Sequence, residues 1–264
     1  MRFTKMQGLG NDYVYLDCTK AVPPNLPELA VKLSDRHFGV GSDGLICVLR
    51  SEKADVRMRM FNADGSEGEM CGNGIRCVGK FVYDTGLIRK ETVAVETLAG
   101  VKQISLSLQA GKVQSVTVDM GAPQLEEACE ISRKGTLMKG LPVSMGNPHV
   151  VFFVDNAREF ALPELAPLAL PNPAFPKGVN VEIAEVLDAA HIRVRVWERG
   201  SGETLACGTG ACAVLAAAAS EGRTERAATV CLPGGELSVR WDESDGHIYM
   251  TGPAVTVFEG DWPD

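Results

Sequence analysis

Cys71 and Cys207 each stand immediately before a Gly-x-Gly turn, Gly72-Asn73-Gly74 and Gly208-Thr209-Gly210, and each turn opens a segment patterned as a helix. The free N–H groups and positive dipole end of a helix N-terminus favour a thiolate, drawing a cysteine from its ordinary pKa of about 8.5 toward neutrality. They also favour a bound carboxylate. Two such ends facing each other across a cleft would hold an anion between two ionisable thiols. That arrangement suits inversion of a stereocentre beside a carboxylate. A thiolate removes the proton from one face, a thiol delivers one to the other, and the pair exchanges protonation states on turnover. N–H donors at the helix ends stabilise charge developing on the carboxylate. No cofactor and no metal are required.

A single Cys-Gly-x-Gly is weak evidence, because cysteine often serves as a small buried hydrophobe. Its occurrence twice at matched positions gives it weight. The close pairs Cys71/Cys77 and Cys207/Cys212 lack CxxC spacing, which argues against zinc. Neither turn has the Gly-Lys-Ser/Thr ending of a phosphate loop. Cys18, Cys47, Cys77, Cys129, Cys212 and Cys231 fall in helix or strand patterns or lack the turn, and read as filler.

The elements that must position the two turns are duplicated. Arg59-Met60-Phe61 through Cys71-Gly72-Asn73-Gly74 realigns with Arg195-Val196-Trp197 through Cys207-Gly208-Thr209-Gly210 at a displacement of 136 residues, without a gap. The same displacement carries Gly10-Asn11 onto Gly146-Asn147 and Gly86 onto Gly222. Two copies of so long a unit indicate a duplicated domain, not a solenoid. Ile75, Val78, Phe81 and Val82 form a helical stripe closed by Gly86. Its counterpart, Ala211 to Ala219, is apolar all round and must be buried on every side. Alternation predicts strands at Val93–Thr97, Val101–Leu108 and Val113–Met120, then at Thr229–Leu232, Glu236–Trp241 and His247–Thr251. The fold expected is α/β (α+β): two pseudo-symmetric halves, each a curved sheet round one central helix, with the site between them. The halves are placed at 1–120, to which the tail 253–264 could return, and 121–252. The segment Leu162 to Pro176 holds five prolines and reads as a surface loop or interrupted short helix.

Where the copies differ, function is one explanation. Asn62 aligns with Glu198, and such divergence could orient an asymmetric ligand; two solvated strand-end groups explain it equally well. His149, taken alone, reads as a structural histidine.

The 264 residues carry 26 Lys+Arg against 34 Asp+Glu, a net charge of −8, which disfavours nucleic-acid binding through counterion release. Hydrophobic residues make up 45% and charged residues 23%, an ordinary globular composition able to bury a core without disulfides. The N-terminus has no signal-like apolar region, and the longest apolar run is too short to span a bilayer. A cytoplasmic protein with reduced thiols and no membrane partner is expected.

Taken together, these motifs resemble the diaminopimelate epimerase family. The resemblance runs through Gly8-Leu9-Gly10-Asn11-Asp12, Phe61-Asn62-Ala63-Asp64-Gly65-Ser66-Glu67, Met70-Cys71-Gly72-Asn73-Gly74-Ile75-Arg76-Cys77, Gly146-Asn147-Pro148-His149, Gly178-Val179-Asn180, Trp197-Glu198-Arg199-Gly200 and Ala206-Cys207-Gly208-Thr209-Gly210, and spans nearly the whole chain. It implies cofactor-independent interconversion of LL- and meso-2,6-diaminopimelate, with Cys71 and Cys207 as the two bases. It further implies that the backbone of Gly72-Asn73 and Gly208-Thr209 binds the reacting carboxylate. Asn11, Asn62, Asn147, Asn180, Glu198 and Arg199 match substrate contacts, and His149 and Glu198 match groups that tune the thiols. A homodimer is also implied. Gly44 occupies a position that some members fill with a substrate-contacting glutamine, and that contact is not carried over. Rival readings are a proline-type two-cysteine racemase, a phenazine-biosynthesis isomerase, which shares the fold but not the paired cysteines, and a noncatalytic amino-acid-binding module with a redox-sensitive thiol pair.

Overall fold

A computed structural model describes residues 1–169, 172 and 175–263. The chain forms two compact units, one of Met1–Val118 with Thr251–Asp264 and one of Asp119–Met250. The architecture is mixed α+β, strand-rich, with one 13-residue helix packed on the strands of each unit.

The first unit begins with the hairpin β1 (Arg2–Gly8) and β2 (Asn11–Asp17). α1 (Leu26–Ser34) then crosses over to β3 (Gly44–Leu49), which lies parallel to β2. β4 (Val56–Asn62) turns back antiparallel and is flanked by the short β5 (Glu67–Gly68). α2 (Gly72–Asp84) leads to β6 (Thr92–Thr97), parallel to β4, and β7 (Gly100–Gln109) and β8 (Lys112–Gly121) close a meander. α2 packs against β1, β2 and β7. Ile75, Val78 and Val82 are fully buried, Phe81 nearly so, and Gly86, just past the Thr85 cap, has a φ of 77° that suits glycine.

The second unit opens with β9 (Gln124–Leu125), β10 (Cys129–Arg133) and β11 (Thr136–Ser144). It then repeats the plan with β12 (Pro148–Phe153), α3 (Leu162–Ala169), β13 (Asn180–Asp188), β14 (His191–Glu198), β15 (Gly202–Thr204), α4 (Gly208–Ser220), β16 (Ala227–Leu232), β17 (Gly235–Trp241) and β18 (Ile248–Gly252). β12 and β13 run parallel, as do β14 and β16. The repeat extends to hydrogen-bond register: Tyr13 pairs with Gly44, and His149, 136 residues on, pairs with Asn180. α4 packs against β11, β12, β13, β14, β16 and β17, and Ala211 through Ala218 are all fully buried. The all-round apolar helix of the sequence reading therefore sits where its composition requires.

Past β18 the chain returns to the first unit as β19 (Val255–Asp261), antiparallel to β1.

The proline-rich stretch takes the short-helix alternative, but it is packed into the core and not laid on the surface. Leu162–Ala169 is a helix with Pro167 inside it, and Leu162, Leu165, Ala166 and Ala169 are fully buried in a cluster with Val150, Phe152, Val181 and Ile183. The cause is visible in the repeat: Leu162-Pro163-Glu164-Leu165-Ala166 copies Leu26-Pro27-Glu28-Leu29-Ala30 of α1. A proline in the first turn costs nothing, since its N–H would be unpaired. Pro171 and Pro173 lie outside the described residues.

Candidate active site

Cys71 is the N-cap of α2, in extended backbone (φ −129°, ψ 120°), and its Sγ accepts the Gly74 N–H at 3.3 Å. Its thiol donates to Asn11 Oδ1 at 3.3 Å. Asn11 Nδ2 donates to Asp43 Oδ2 at 2.8 Å, and Arg36 bridges Asp43 to Asp12, at 2.9 and 3.0 Å. Asp12 also pairs with the buried Lys5. This alternation of charges fixes the asparagine that touches the thiol. Tyr13, buried beside Asn11 and hydrogen-bonded to the side chains of Asn11 and Cys71, is pushed well above the ordinary phenol range by burial and by the negative charges of Cys71 and Asp43. It therefore remains a protonated hydroxyl. Arg76, fully buried one turn into α2, donates to Gly72 O at 3.1 Å, Asn73 Oδ1 at 3.0 Å and Pro253 O at 3.2 Å.

Cys207 caps α4 with nearly the same backbone (φ −126°, ψ 115°) in different company. Its Sγ lies 3.5 Å from Thr209 Oγ1, which accepts from Asn147 Nδ2 at 3.3 Å. Asn147 Oδ1 is 3.1 Å from His149 Nε2, and His149 Nδ1 is 2.6 Å from Glu182 Oε1, both side chains being wholly buried. Glu198 accepts from Thr204 Oγ1 at 2.6 Å and bonds to Cys207. Burial, reinforced by Glu182, raises the Glu198 carboxyl.

The expectation that a helix N-terminus lowers both thiols fails for Cys207. Burial first, then the negative charges of Glu198 and Glu182, push it well above the usual thiol range, outweighing the Thr209 hydroxyl and Gly210 N–H. A helix end acts at the scale of a surface charge, whereas complete desolvation acts more strongly.

Gly72, Asn73 and Gly208 are buried in the two cysteine turns, and Thr209 is half-buried. Asn62 ends β4, exposed and bonded to Ser66 Oγ at 2.9 Å. Asn180 is buried with both amide ends engaged by backbone, donating to Pro148 O at 3.0 Å and accepting Arg199 N–H at 2.8 Å. Arg199 is exposed and donates to Lys177 O at 2.9 Å. Gly44 has no room for a side chain: a Cβ there would lie 2.1 Å from Phe61 O and 2.8 Å from the Tyr13 ring.

Tyr13, Asp43, Arg76, Glu182 and Thr204 were not singled out from sequence. Two signals could have found the most informative. Tyr13 aligns with His149 in the repeat, and Glu182 is the lone charge in the otherwise apolar run Val181–Ala184. All eight cysteines are free thiols, and no cluster of metal-ligating side chains occurs among the described residues. No described helix is long and apolar enough to cross a membrane.

The diaminopimelate epimerase family model matches residues 3–126 and 141–257. The chain is 53% identical to the diaminopimelate epimerase of Acetivibrio thermocellus, over 99% of this chain and 98% of that one. It is 52% identical to the one of Methanococcus maripaludis strain C5, over 99% of both. Among solved structures it is similar to a PhzF-family phenazine biosynthesis protein of Bacillus anthracis (TM-score 0.78, 21% identity, 100% and 99% coverage). A probable proline racemase of Agrobacterium radiobacter K84 is also similar (TM-score 0.73, 17% identity, 99% and 92% coverage). At those identities the structural likenesses speak for the fold alone.

Proposed function

Because this chain belongs to the diaminopimelate epimerase family, we propose that it interconverts LL- and meso-2,6-diaminopimelate, as an isomerase of lysine biosynthesis, by proton transfer between Cys71 and Cys207. The observation that carries the two-thiol reading is the matched placement of the cysteines as N-caps of α2 and α4, each before a buried glycine turn.

In this reading a cysteine thiolate takes the α-hydrogen as a proton, becoming a thiol, and the electron pair stays on the α-carbon. The other cysteine's thiol delivers its proton to the opposite face and becomes the thiolate. One proton leaves and one arrives, so the step balances without a redox partner or cofactor. The N–H groups of Gly72-Asn73 and Gly208-Thr209, at the positive ends of the helices, receive the carboxylate on which charge develops. Asn11 sits beside the Cys71 thiol, and Asn147 bonds to the Thr209 hydroxyl that lies beside Cys207. Asn11, Asn62, Asn147, Asn180, Glu198 and Arg199 are assigned to substrate contacts, many of them to the distal ammonium and carboxylate, and Asn180 also holds the Arg199 backbone. His149 and Glu198 tune Cys207. The active form is taken to be a cytoplasmic homodimer.

The test is α-hydrogen exchange of LL- and meso-diaminopimelate in deuterated water under reductant. Wild type should incorporate deuterium with inversion, and Cys71→Ala and Cys207→Ala should each lower epimerisation by at least about a thousandfold, the scale on which removing an essential proton-transfer group acts. Absence of exchange in folded, reduced wild type would remove the substrate assignment. Epimerisation persisting in either variant would remove the two-thiol mechanism.

A further inference from the structure

The two cysteine turns have the same backbone and opposite charges beneath them. In the first, the buried guanidinium of Arg76 is bonded to Gly72 and Asn73, the two residues that follow Cys71. Among the polar groups around Cys71 are Asn11, Tyr13 and Tyr15, all neutral, the buried Cys77, and Asp43, whose charge is paired with Arg36. In the second, the fully buried Glu182 carboxylate lies against the first turn of α4, its Oε1 2.7 Å from where a Cβ on Gly210 would stand. Among the described residues its Oε2 has no hydrogen-bond partner, and its Oε1 meets His149. Glu198 adds a second carboxyl group.

The repeat makes the contrast a matched comparison. Ile46 occupies the Glu182 position in the first unit, with its Cδ1 2.7 Å from the equivalent Cβ site on Gly74. Cys212 occupies the Arg76 position in the second unit. A cation buried at the N-terminal end of a helix is at its unfavourable pole. Arg76 is held there by hydrogen bonds to Gly72 O, Asn73 Oδ1 and Pro253 O, and what it supplies is positive potential at the Cys71 turn.

We propose that Arg76 and Glu182 are positioning residues that make the two thiols inequivalent, so that Cys71 ionises first and the resting enzyme holds Cys71 as thiolate and Cys207 as proton donor. This rests on the two-thiol reading. It follows that one of the two stereoisomers, the one whose α-hydrogen meets Cys71, enters an enzyme already in the correct protonation state. The other isomer requires the proton to be moved from Cys207 to Cys71 before it can react.

The experiment is ultraviolet titration of thiolate absorbance in the whole protein, taken as wild type minus Cys71→Ser and wild type minus Cys207→Ser, which reads each thiol regardless of reagent access. Cys71 should titrate at least about one pH unit below Cys207, the scale of a single nearby charge. Glu182→Ile, which installs the residue of the other repeat, should lower the Cys207 midpoint and leave Cys71 in place. Arg76→Met should raise the Cys71 midpoint, and Arg76→Lys, which keeps the charge, should restore it. Equal midpoints, Cys207 ionising first, or a Cys207 midpoint unmoved or raised by Glu182→Ile would overturn the proposal. The wild-type order decides the matter even if an Arg76 variant does not fold. Failure of the two-thiol reading shows itself separately, as epimerisation surviving in Cys71→Ser or Cys207→Ser.

Discussion

Lys5, Asp12, Arg36 and Asp43 are not assigned contact with reacting atoms, yet they hold the asparagine that touches Cys71. Asp12 is the hinge of this group. Burial alone would raise its carboxyl, but the bonds from Arg36 and Lys5 outweigh burial and hold it below the usual carboxylate range. A folded-state value below the unfolded one gives stabilisation that is fully present above the unfolded value, about 3.9, and is lost as pH falls through the folded value. Asp12→Asn leaves the buried Lys5 without its countercharge and should cost about 3 kcal/mol at pH 7, as expected for breaking a buried pair from one side. The gap between wild type and variant should narrow below about pH 4 as Asp12 protonates. Urea unfolding at pH 7 and pH 3 measures both, and an equal gap at the two values would mean that Asp12 is not the titrating group. At this scale the sequence motifs mark Cys71, Cys207, Asn11, Asn147 and Glu198, and the structure gathers Asn11 at Cys71, and Asn147 and Glu198 at the Cys207 turn. The sequence hid those that act through tertiary contact. The charge of Glu182 is obvious in the sequence, but only the pairing of Asn180 with His149 in the register of β12 and β13 brings the neighbouring strand, and so Glu182, beside the His149 ring.

The elements were legible where periodicity or a duplicated landmark marks them, and obscure where a local signal competes with packing. α4 announces itself, because a run of Ala and Val at helical length has no polar face to turn outward. α3 does so only in part, because its prolines leave a loop and an interrupted short helix both open and hide its burial, while its partner in the repeat and its buried leucines decide the outcome. The alanines of α4 permit close approach of the strands around it, and this can be tested directly. Ala216, fully buried, replaced by leucine keeps helix propensity almost unchanged but adds three carbons to a filled site. Overpacking of this kind should cost about 1–3 kcal/mol. Lys32→Leu on the exposed side of α1 is the control and should change stability by no more than about 0.5 kcal/mol. Thermal unfolding of the two variants separates packing from propensity; equal midpoints would mean that α4 has slack around Ala216.

For the whole molecule, the displacement of 136 residues is the most informative property of the chain. It carries motifs, helices and strand register alike, so that one half predicts the elements of the other, while single positions such as Ile46 and Glu182 or Arg76 and Cys212 differ. What it does not carry is the tail. β19 continues after the second copy ends and belongs to the first unit, with six register pairs to β1 from Arg2–Asp261 to Gln7–Val255. Phe258 meets Phe3 edge-on at 5.9 Å, Trp262 packs on the cluster of Phe3, Val14, Leu16 and Leu45, and Pro253 O accepts from Arg76. A chain ended at Gly252 would therefore lose one whole edge of β1 and one tie to the buried arginine beneath the Cys71 turn. Unpaired strand edges and amides opened to water exchange their hydrogens through low-energy local openings. Native-state hydrogen exchange on the truncated chain should show loss of protection in β1 and in the first turn of α2, while β13, β14 and α4 keep theirs. Epimerisation should fall with the disordering of the Cys71 turn, although every residue assigned to substrate is still present. Unchanged protection in β1 would mean that β2 alone holds the strand and that the returning tail has no part in placing the thiol.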